Sequence, residues 1–456
     1  MAATVARPGQ TYFVPGVRIM RLGPPTPFPE AGEEIRELRA DLIGVEVTKV
    51  NHGSGQYCFT LNNWYDTLPG DRRADPSVQG REIIGSAGQP LWPRFKYNDF
   101  QVLQFGMRLR IDMRYWPEPD QALEVTAPDD ARAQRWVPMI AGPISDMRFT
   151  FSETEGARLT VCGEDDLCCL KNKNPGKVDY WERPETEIVD DTIKRSGCPL
   201  ALAAPARPWP TFTESTAKAL AEAHFEGQSY LDYLMKFAER WDFEVFVEHR
   251  DLDKPDSGVE LHFEPSRART PPDRTLRDVY VVERGKNLLE FNPDLKVVDQ
   301  VTSVTAVGRD HSQTSPNQLA STTPPEGGAD PLADELHRDV ARGDPPLVSG
   351  PEWRRRTFGP NPHTEINQRG VDAERIGVMS DAFYRKRARE FLKVDVETIG
   401  LPRLRAGRYC EVRGMRPPFD GFYYVEKSVH TYGPSGLRTK VLARRPGMPF
   451  PPYGET

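Results

Sequence analysis

The sequence predicts a mainly β protein with an α+β middle region, in which two antiparallel β-barrel domains are joined by a smaller helix–hairpin domain. Period-two alternation of apolar and polar residues, which is typical of strands, occupies two separate parts of the chain. An amphipathic helix that runs into a hairpin pattern lies between them. The two strand-rich parts also share a spacing of glycines, which favours an internal repeat.

Bulk composition limits the class of protein. The 456 residues are enough for several domains with cores of their own. A formal net charge of -7 disfavours a nucleic-acid-binding protein, because contact with phosphates needs a basic face. No apolar run approaches the roughly 20 residues of a membrane span, and the N-terminus lacks the apolar stretch of a secretory signal. The 43 prolines exceed an average usage of about 5%, so we expect long loops and arms.

The predicted layout has five parts. In chain order they are a Pro/Gly-rich N-terminal arm at 1–35, a first barrel at 36–165 with a polar loop at 66–90, a middle α+β domain at 166–290, a second barrel at 291–445 with a long Pro/Gly-rich loop at 311–360, and a C-terminal tail at 446–456.

Strand-like alternation recurs in both barrel regions. In the first it covers LIGVEVTKV, QYCFTL, MRLRIDMRYW, PISDMRFTF and RLTVCGED. The second region begins at DLKVVDQVTSVTAVGRD, and its last stretch, 400–445, reads as strands and turns throughout. DAFYRKRAREFLKV, residues 381–394, predicts a helix whose less polar positions are Ala382, Tyr384, Ala388, Phe391 and Leu392.

The stretch SYLDYLMKFAERWDFEVFVEH predicts a helix that passes directly into a strand. Ser229 can cap the helix, and Asp232 three residues later completes a capping box. One apolar stripe at spacings of three and four consists of Leu231, Leu234, Phe237, Ala238 and Trp241.

The residues after this helix alternate with a period of two. Phe243, Val245 and Val247 are separated by Glu244, Phe246 and Glu248, so we expect a strand with one buried face. A polar loop leads to VELHFEP, which alternates in the same way and completes a hairpin. The helix and hairpin are therefore expected to form a strut between the two barrels.

The glycine spacing suggests that the barrel regions are copies of one another. Gly106 stands five residues before Ile111, as Gly407 stands five before Val412. Gly142 and Gly156 bracket an alternating strand, and so do Gly421 and Gly436. A duplicated small antiparallel barrel follows, with a loop inserted in the first copy; chance likeness between hairpins is the alternative.

No pattern of residues predicts a catalytic or metal site. Ser54 lies near His52 in HGSGQ, but the stretch joins two strands and lacks a nucleophile elbow. The acids of GEDDL, Glu164 to Asp166, are read as a solvated turn. Six cysteines without a CxxC pair or companion histidine disfavour zinc, and we expect reduced thiols at Cys58, Cys162, Cys168, Cys169, Cys198 and Cys410.

Four stretches in order match the pattern of a known family: VNHGSGQYCFTLNN; RLTVCGEDDL, where Glu164 and Asp165 take the variable and acidic places of a Gly-x-Asp; SYLDYLMKFAERWDFEVFVE; and LRAGRYCEVRGM through GFYYVEKSVHTYGPSGLRTKVLARR. On these the chain resembles the phage late control protein D family. Its members are baseplate hubs of contractile phage tails and contractile injection systems, similar to the hub portion of type VI secretion spike proteins.

The resemblance implies tube-type β-barrels and a homotrimer whose two barrels per chain present six barrels in a ring. A hexameric inner tube protein would stack on this ring and a trimeric spike protein would dock on its other end. The loops, the arm and the tail would bind other baseplate proteins. We further expect assembly in the bacterial cytoplasm into a virion-like tail or injection particle. Membrane insertion by this chain, nucleic-acid binding, cofactors, metals, enzyme activity and catalytic residues are not expected.

Two other functions remain open from the residues alone. One is a monomeric cell-wall or carbohydrate-binding module, whose stacking platforms would come from the eight tryptophans. The other is a hydrolase carried on a β-scaffold. A hub should be trimeric or aggregate without its partners, whereas a sugar binder should be a soluble monomer retained on cell-wall material.

Overall fold

The computed structural model of the protein describes most of the chain. The described residues are 14–23, 32–64, 83–84, 90–91, 95–116, 136–152, 154, 156–174, 185–203, 228–266, 279–310, 317–325, 328–339, 346–370 and 373–449.

The first strands, in chain order, are β1 Val14–Arg21, β2 Glu33–Glu34, β3 Leu42–Val50, β4 Gln56–Asn62, β5 Ile83–Ile84, β6 Pro90–Leu91, β7 Arg108–Trp116, β8 Val137–Ser152, β9 Gly156–Glu164, β10 Phe243–His249 and β11 Val259–Pro265. The later strands are β12 Val279–Glu283, β13 Leu288–Leu295, β14 Ser303–Asp310, β15 Asn317–Thr323, β16 Leu347–Ser349, β17 Pro362–Gly370, β18 Leu392–Ile399, β19 Tyr409–Arg413, β20 Gly421–Gly433, β21 Gly436–Arg445 and β22 Gly447–Pro449. The helices are α1 Glu37–Asp41, α2 Cys168–Lys171, α3 Glu185–Ser196, α4 Tyr230–Trp241, α5 Ala333–Asp339, α6 Gly350–Phe358 and α7 Ala373–Ala388.

Thirteen strands form one sheet, which confirms the prediction of a mainly β, largely antiparallel protein. Its order is β13-β18-β21-β20-β3-β4-β9-β8-β7-β1-β2, with β19 beside β20 and β12 beside β19. We call β3, β4, β9, β8, β7 and β1 the first half-sheet, and β13, β18, β21, β20, β19 and β12 the second half-sheet. Each half-sheet buries its own apolar cluster, as the alternation in the sequence predicts.

The two half-sheets match strand by strand in their register. Phe59 faces Val161 across β4 and β9, and the counterparts Val396 and Val441 face each other across β18 and β21. Ile111 faces Ile140 across β7 and β8 as Val412 faces Gly421 across β19 and β20. The first half-sheet therefore repeats in the second over four consecutive strand pairings.

Local irregularities repeat as well. A bulge follows Leu42 where β3 pairs with β4, and the same bulge follows Leu288 where β13 pairs with β18. A second bulge follows Ile144 in β8 and Val425 in β20. The backbone N–H of Gly106 donates to Ile144 at 2.9 Å, and that of Gly407 donates to Val425 at 2.8 Å. Bulges are specific features rather than random defects, so their repetition supports an internal duplication.

The copies differ in two places, and one predicted equivalence is wrong. β1 runs antiparallel to β7, whereas its counterpart β12 runs parallel to β19. The turn between β8 and β9 is one residue longer than the turn between β20 and β21. Gly421 matches Ile140, so the predicted equivalence of Gly421 with Gly142 is wrong by two residues. Strand pairing among the described residues does not close either half-sheet on itself, and closure into barrels stays a prediction.

The helix–hairpin prediction is confirmed. Ser229 accepts a hydrogen bond from the backbone of Asp232, which completes the capping box at the start of α4. Asp242 ends the helix in the left-handed conformation, with φ of 57°, and the chain enters β10 directly. Leu234 and Phe237 are buried in a core to which α3, α7, β10 and β11 also contribute. This core also includes Ile376 and Met379 of α7, which lie beyond the predicted middle domain at 166–290, and the bounds of that domain stay a prediction.

Several predictions about the irregular segments are wrong. Residues 14–21 of the predicted arm form β1, in which Val17 and Ile19 lie on either side of Arg18 and pair with Met113 and Ile111 of β7. The predicted loop at 311–360 contains β15, α5, β16 and α6. Ser349 caps α6, and Trp353 on that helix is buried. The loop at 66–90 lies largely outside the described residues, as do the tail residues 450–456.

The predicted helix over 381–394 is shifted. Helix α7 begins at Ala373 and ends at Ala388, and Leu392 already belongs to β18. Alternation of Val394 and Val396 with charged neighbours takes over here, and strand pairing on both sides of β18 stabilises it. The helical periodicity of α7 thus changes to the strand periodicity of β18 within a few residues.

Four of the six cysteines are not reduced thiols, contrary to the prediction. Cys58 and Cys162 lie opposite one another on β4 and β9 and form a disulfide. Cys169 and Cys198 form a second, between α2 and the segment after α3. Cross-strand register places the first pair together, and no local spacing in the sequence reveals it. Cys168 and Cys410 are free thiols.

Candidate functional site: the junction between the half-sheets

The two half-sheets meet through a direct strand pairing. Strand β3 of the first half-sheet pairs antiparallel with β20 of the second, from Lys427 opposite Val50 to Tyr432 opposite Val45. The backbone N–H of Asn51 extends the ladder by donating to Glu426 at 3.0 Å. This pairing fixes the offset of one half-sheet against the other, because a slip by one residue would turn every side chain to the wrong face.

The hairpin strand β10 is buried between the core around α4 and this pairing: Phe243, Val245 and Val247 pack in that core, and Glu244 and Glu248 lie on the other face. All seven of its residues are buried, including Glu244 and Glu248, which the alternation had placed on a solvent face. The ammonium group of Lys49 in β3 donates to the carbonyl of Val247 at 2.8 Å. The backbone N–H of Gly53 donates to the carbonyl of Val245 at 2.8 Å. The hairpin is thereby bonded to the first half-sheet.

The same strand is bonded to the second half-sheet through its two glutamates. Arg405, which precedes β19, donates to the Glu248 carboxylate at 2.7 Å, and both side chains are buried. Its guanidinium also donates to the carbonyl of Pro138 in β8. The Tyr424 hydroxyl of β20 donates to Glu244, whose other oxygen accepts from Asn51 at 2.8 Å. Strand β10 therefore bonds to β3 through Lys49 and to β20 through Tyr424, and Arg405 links it to β8.

Burial and pairing perturb the titration of these groups. Burial alone would raise the pKa of Glu248, but the cations Arg405 and Lys49 outweigh it and hold that pKa well below its usual value. Burial raises the pKa of Glu244, although hydrogen bonds from Tyr424, Ser266 and Asn51 oppose the shift. Glu248 is therefore a buried anion that depends on its arginine partner.

A second polar cluster ties α4 to the helices of the second half of the chain. Arg389, one residue past α7, donates to the Asp242 carboxylate at 2.5 Å and to Glu335 of α5 at 2.5 Å. Asp242 is the residue that ends α4 and starts β10. The turn between helix and hairpin is thus held by an arginine from a distant part of the chain.

The residues considered for catalysis occupy structural positions. The Ser54 hydroxyl donates to the buried carboxylate of Asp165 at 2.8 Å, which also accepts from the backbone of Gly55 at 2.7 Å. Burial raises the pKa of Asp165 to about 6, against the opposing effect of Lys49. Both ring nitrogens of His52 are buried without a hydrogen-bond partner, and burial lowers its pKa. Asp165 therefore holds the turn before β4 through Ser54 and Gly55.

The other two acids of the predicted turn are paired. Arg108 donates to both oxygens of Asp166, at 2.9 and 2.5 Å, and Lys171 donates to Glu164 at 2.7 Å. The prediction of a solvated acidic turn is wrong for Asp165 and Asp166, which are buried. Among the described residues, no three His, Cys, Asp or Glu side chains lie together as a metal site would require.

The described helices include none with the length and apolar character of a membrane span. The hairpin was predictable from alternation in the sequence, but the residues that contact it were not. Arg405 lies in a stretch of sequence without periodicity, and Arg389 follows an amphipathic helix. Only the structure shows that these buried arginines bind the acids Glu248 of β10 and Asp242 at the end of α4.

The described architecture is that of phage tail proteins. A 43 kDa tail protein of prophage MuSo2 from Shewanella oneidensis is similar over 94% of this chain and 98% of its own, with 11% identity and a TM-score of 0.51. A tail protein from Neisseria meningitidis MC58 is similar over 94% and 96%, with 10% identity and a TM-score of 0.53. At this identity the likeness establishes a shared fold, and it confirms the resemblance at that level.

The sequence matches no protein-family model, and no curated protein is similar enough in sequence to count as a relative.

Proposed function

We propose that the chain is a structural baseplate hub of a contractile tail or injection system. Three copies would form a ring in which six half-sheets take six similar places, so that a hexameric inner tube stacks on one end and a trimeric spike docks on the other. The observation that carries the proposal is the internal duplication, with its matched registers, bulges and hydrogen bonds. The fold shared with phage tail proteins supports it.

The junction supports the same function physically. An adapter must hold its two half-sheets at a fixed rotation relative to one another. Sixfold stacking fails when the six half-sheets of the ring differ in orientation. Strand β10 joins both half-sheets through charged and hydrogen-bonded contacts that are buried from water. Buried polar groups of this kind specify one geometry, since each loses its partner when the elements shift.

The predicted division of the chain near residues 165 and 290 is kept as part of the proposal. In it the middle region, with α4 and the hairpin, is the strut between the copies. The partners remain those expected of a hub: a second and third copy, a spike, an inner tube and further baseplate proteins.

The test is the stoichiometry and symmetry of the purified full chain. Native mass spectrometry should give three times the 51.6 kDa of one chain, and class averages from electron microscopy should show a ring with six similar lobes. A soluble monomer that is retained on isolated cell walls would instead indicate a carbohydrate-binding module.

That alternative needs tryptophan rings as stacking platforms. Of the tryptophans whose side chains are described, Trp241 and Trp353 are buried and Trp64 and Trp136 are half-buried.

A further inference from the structure

Among the described residues, the strand pairing that joins the half-sheets occurs once, and the two strand edges that correspond to it by the duplication have no neighbouring strand. The pair is β3 with β20, and by the duplication β3 corresponds to β13 and β20 to β8. Among the described residues β13 has only β18 beside it, and residues 145–152 of β8 have only β9. An open strand edge is a template for pairing with another chain.

We propose that β13 of one copy pairs antiparallel with β8 of a second copy, in the register that β3 and β20 adopt within the chain. This rests on the proposed function, since three such pairings would close the ring. The duplication maps Val50 onto Lys296 and Lys427 onto Asp146. The six opposed pairs are Asp146 with Lys296, Met147 with Leu295, Arg148 with Asp294, Phe149 with Pro293, Thr150 with Asn292, and Phe151 with Phe291.

The outer face of this register pairs opposite charges. Asp146 lies opposite Lys296 of the other copy, and Arg148 lies opposite its Asp294. Asp294 of β13 and Lys296, the residue after β13, are more than half exposed, at 63% and 55%, and they are 3.5 Å apart in the free chain. Opposed charges on neighbouring strands stabilise a pairing, and like charges destabilise it.

The inner face of the register is apolar throughout. Its pairs are Met147 with Leu295, Phe149 with Pro293 and Phe151 with Phe291. Phe151 is 56% exposed in the single chain although its ring lies 4.7 Å from that of Phe95. The matching face of the internal pairing is buried, with Val47 and His430 fully covered. Exposed apolar groups along one edge mark an interaction surface.

Shifts of the register by two residues, which keep the same faces, oppose like charges. In one direction Asp146 would meet Asp294, and in the other Arg148 would meet Lys296. Shifts by one residue would turn apolar side chains to the outer face. Pro293 takes the place of Val47 and has no backbone N–H, so the pairing has one ladder hydrogen bond fewer than its internal counterpart. The two edges therefore accept each other in one alignment.

Cysteine pairs in the full chain test the alignment directly. Thr150 and Asn292 are both exposed, and directly opposed residues on paired strands are close enough for a disulfide. Thr150→Cys with Asn292→Cys should give oxidised dimers and trimers on a non-reducing gel, with the joined peptides found by mass spectrometry. The matched control, Thr150→Cys with Glu290→Cys, is displaced by two residues and should not cross-link.

Charge reversal gives an independent test by sedimentation. Arg148→Asp and Asp294→Arg each place like charges at all three contacts and should weaken trimer formation by about tenfold or more. The double variant restores opposite charges and should recover most of the loss. Circular dichroism checks that the variants fold.

The outcomes separate the register from the function. Cross-linking at the predicted pair together with charge rescue supports the register. A trimeric natural chain whose predicted pair does not cross-link, or whose double variant is no better than either single variant, overturns the register and leaves the hub standing. A chain that is monomeric at all concentrations overturns both.

Discussion

Replacement of Arg405 by methionine should destabilise the protein by about 3–5 kcal/mol. The guanidinium is fully buried and holds the buried Glu248 carboxylate at 2.7 Å. Methionine fills much of the same volume but removes the charge, so that Glu248 is left as a buried anion with Lys49 as its remaining nearby cation. Removing one partner of a buried ion pair typically costs about 3–5 kcal/mol.

The assay is denaturant unfolding, followed by tryptophan fluorescence and compared at equal slope. Arg403→Met is the matched control two residues away, because the Arg403–Asp253 pair is partly exposed, with 19% and 40% of the side chains accessible, and Arg405 and Glu248 are buried. Ion pairs that keep contact with water contribute less than buried ones, so the control should lose clearly less stability than Arg405→Met.

A double-mutant cycle isolates the interaction. Arg405→Met combined with Glu248→Gln removes both charges, and it should cost at least about 1 kcal/mol less than the sum of the single changes. A loss below about 1 kcal/mol for Arg405→Met, or simple additivity in the cycle, would refute the view that this pair holds the hairpin to the second half-sheet.

Three further outcomes follow from the same structure. Leu234→Asp should abolish folding of the middle region, because an unpaired charge in its core costs several kcal/mol; soluble yield and circular dichroism check this, and normal assembly of the variant would contradict the stripe assigned to α4. Burial lowers the pKa of His430 to about 3 from an ordinary 6.5, so its contribution to stability is complete above pH 6.5 and is lost as the pH falls. Between pH 7.5 and 5 the natural chain should lose about 2 kcal/mol more than His430→Gln, and equal losses would show that His430 is not kept neutral by the fold. Replacing Cys58 and Cys162 together by alanine should lower the free energy of unfolding by about 2–5 kcal/mol under oxidising conditions, and peptide mapping that finds both thiols free in the natural chain would contradict the pairing.

Alternation and capping made the strands and the helix–hairpin predictable. Val45 and Val47 in β3 mark a face that is buried in the structure, and Ser229 with Asp232 forms the predicted capping box. Such signals are local, so a single sequence carries them. The glycines revealed the duplication for the same reason: Gly106 and Gly407 both adopt positive φ, which few other residues do at low cost.

The candidate site was less predictable because its partners are distant in sequence. The alternation predicted that Glu244 and Glu248 face solvent. In the structure they are buried by hydrogen-bond partners from distant parts of the chain: Asn51, Tyr424 and Arg405. Proline and glycine suggested a loop at 311–360, yet strand pairing and helix packing override such local preferences when neighbours supply the missing contacts. Contacts between segments that are distant in the chain produce no periodic pattern, so a single sequence does not predict them.

The stoichiometry of the purified chain tests the central claim most directly. If two matched half-sheets let three copies occupy six similar places, native mass spectrometry will find a trimer, and averaged images will show six similar lobes around one axis. A particle of one, two or six chains, or a trimer whose lobes do not alternate around a ring, would contradict the account.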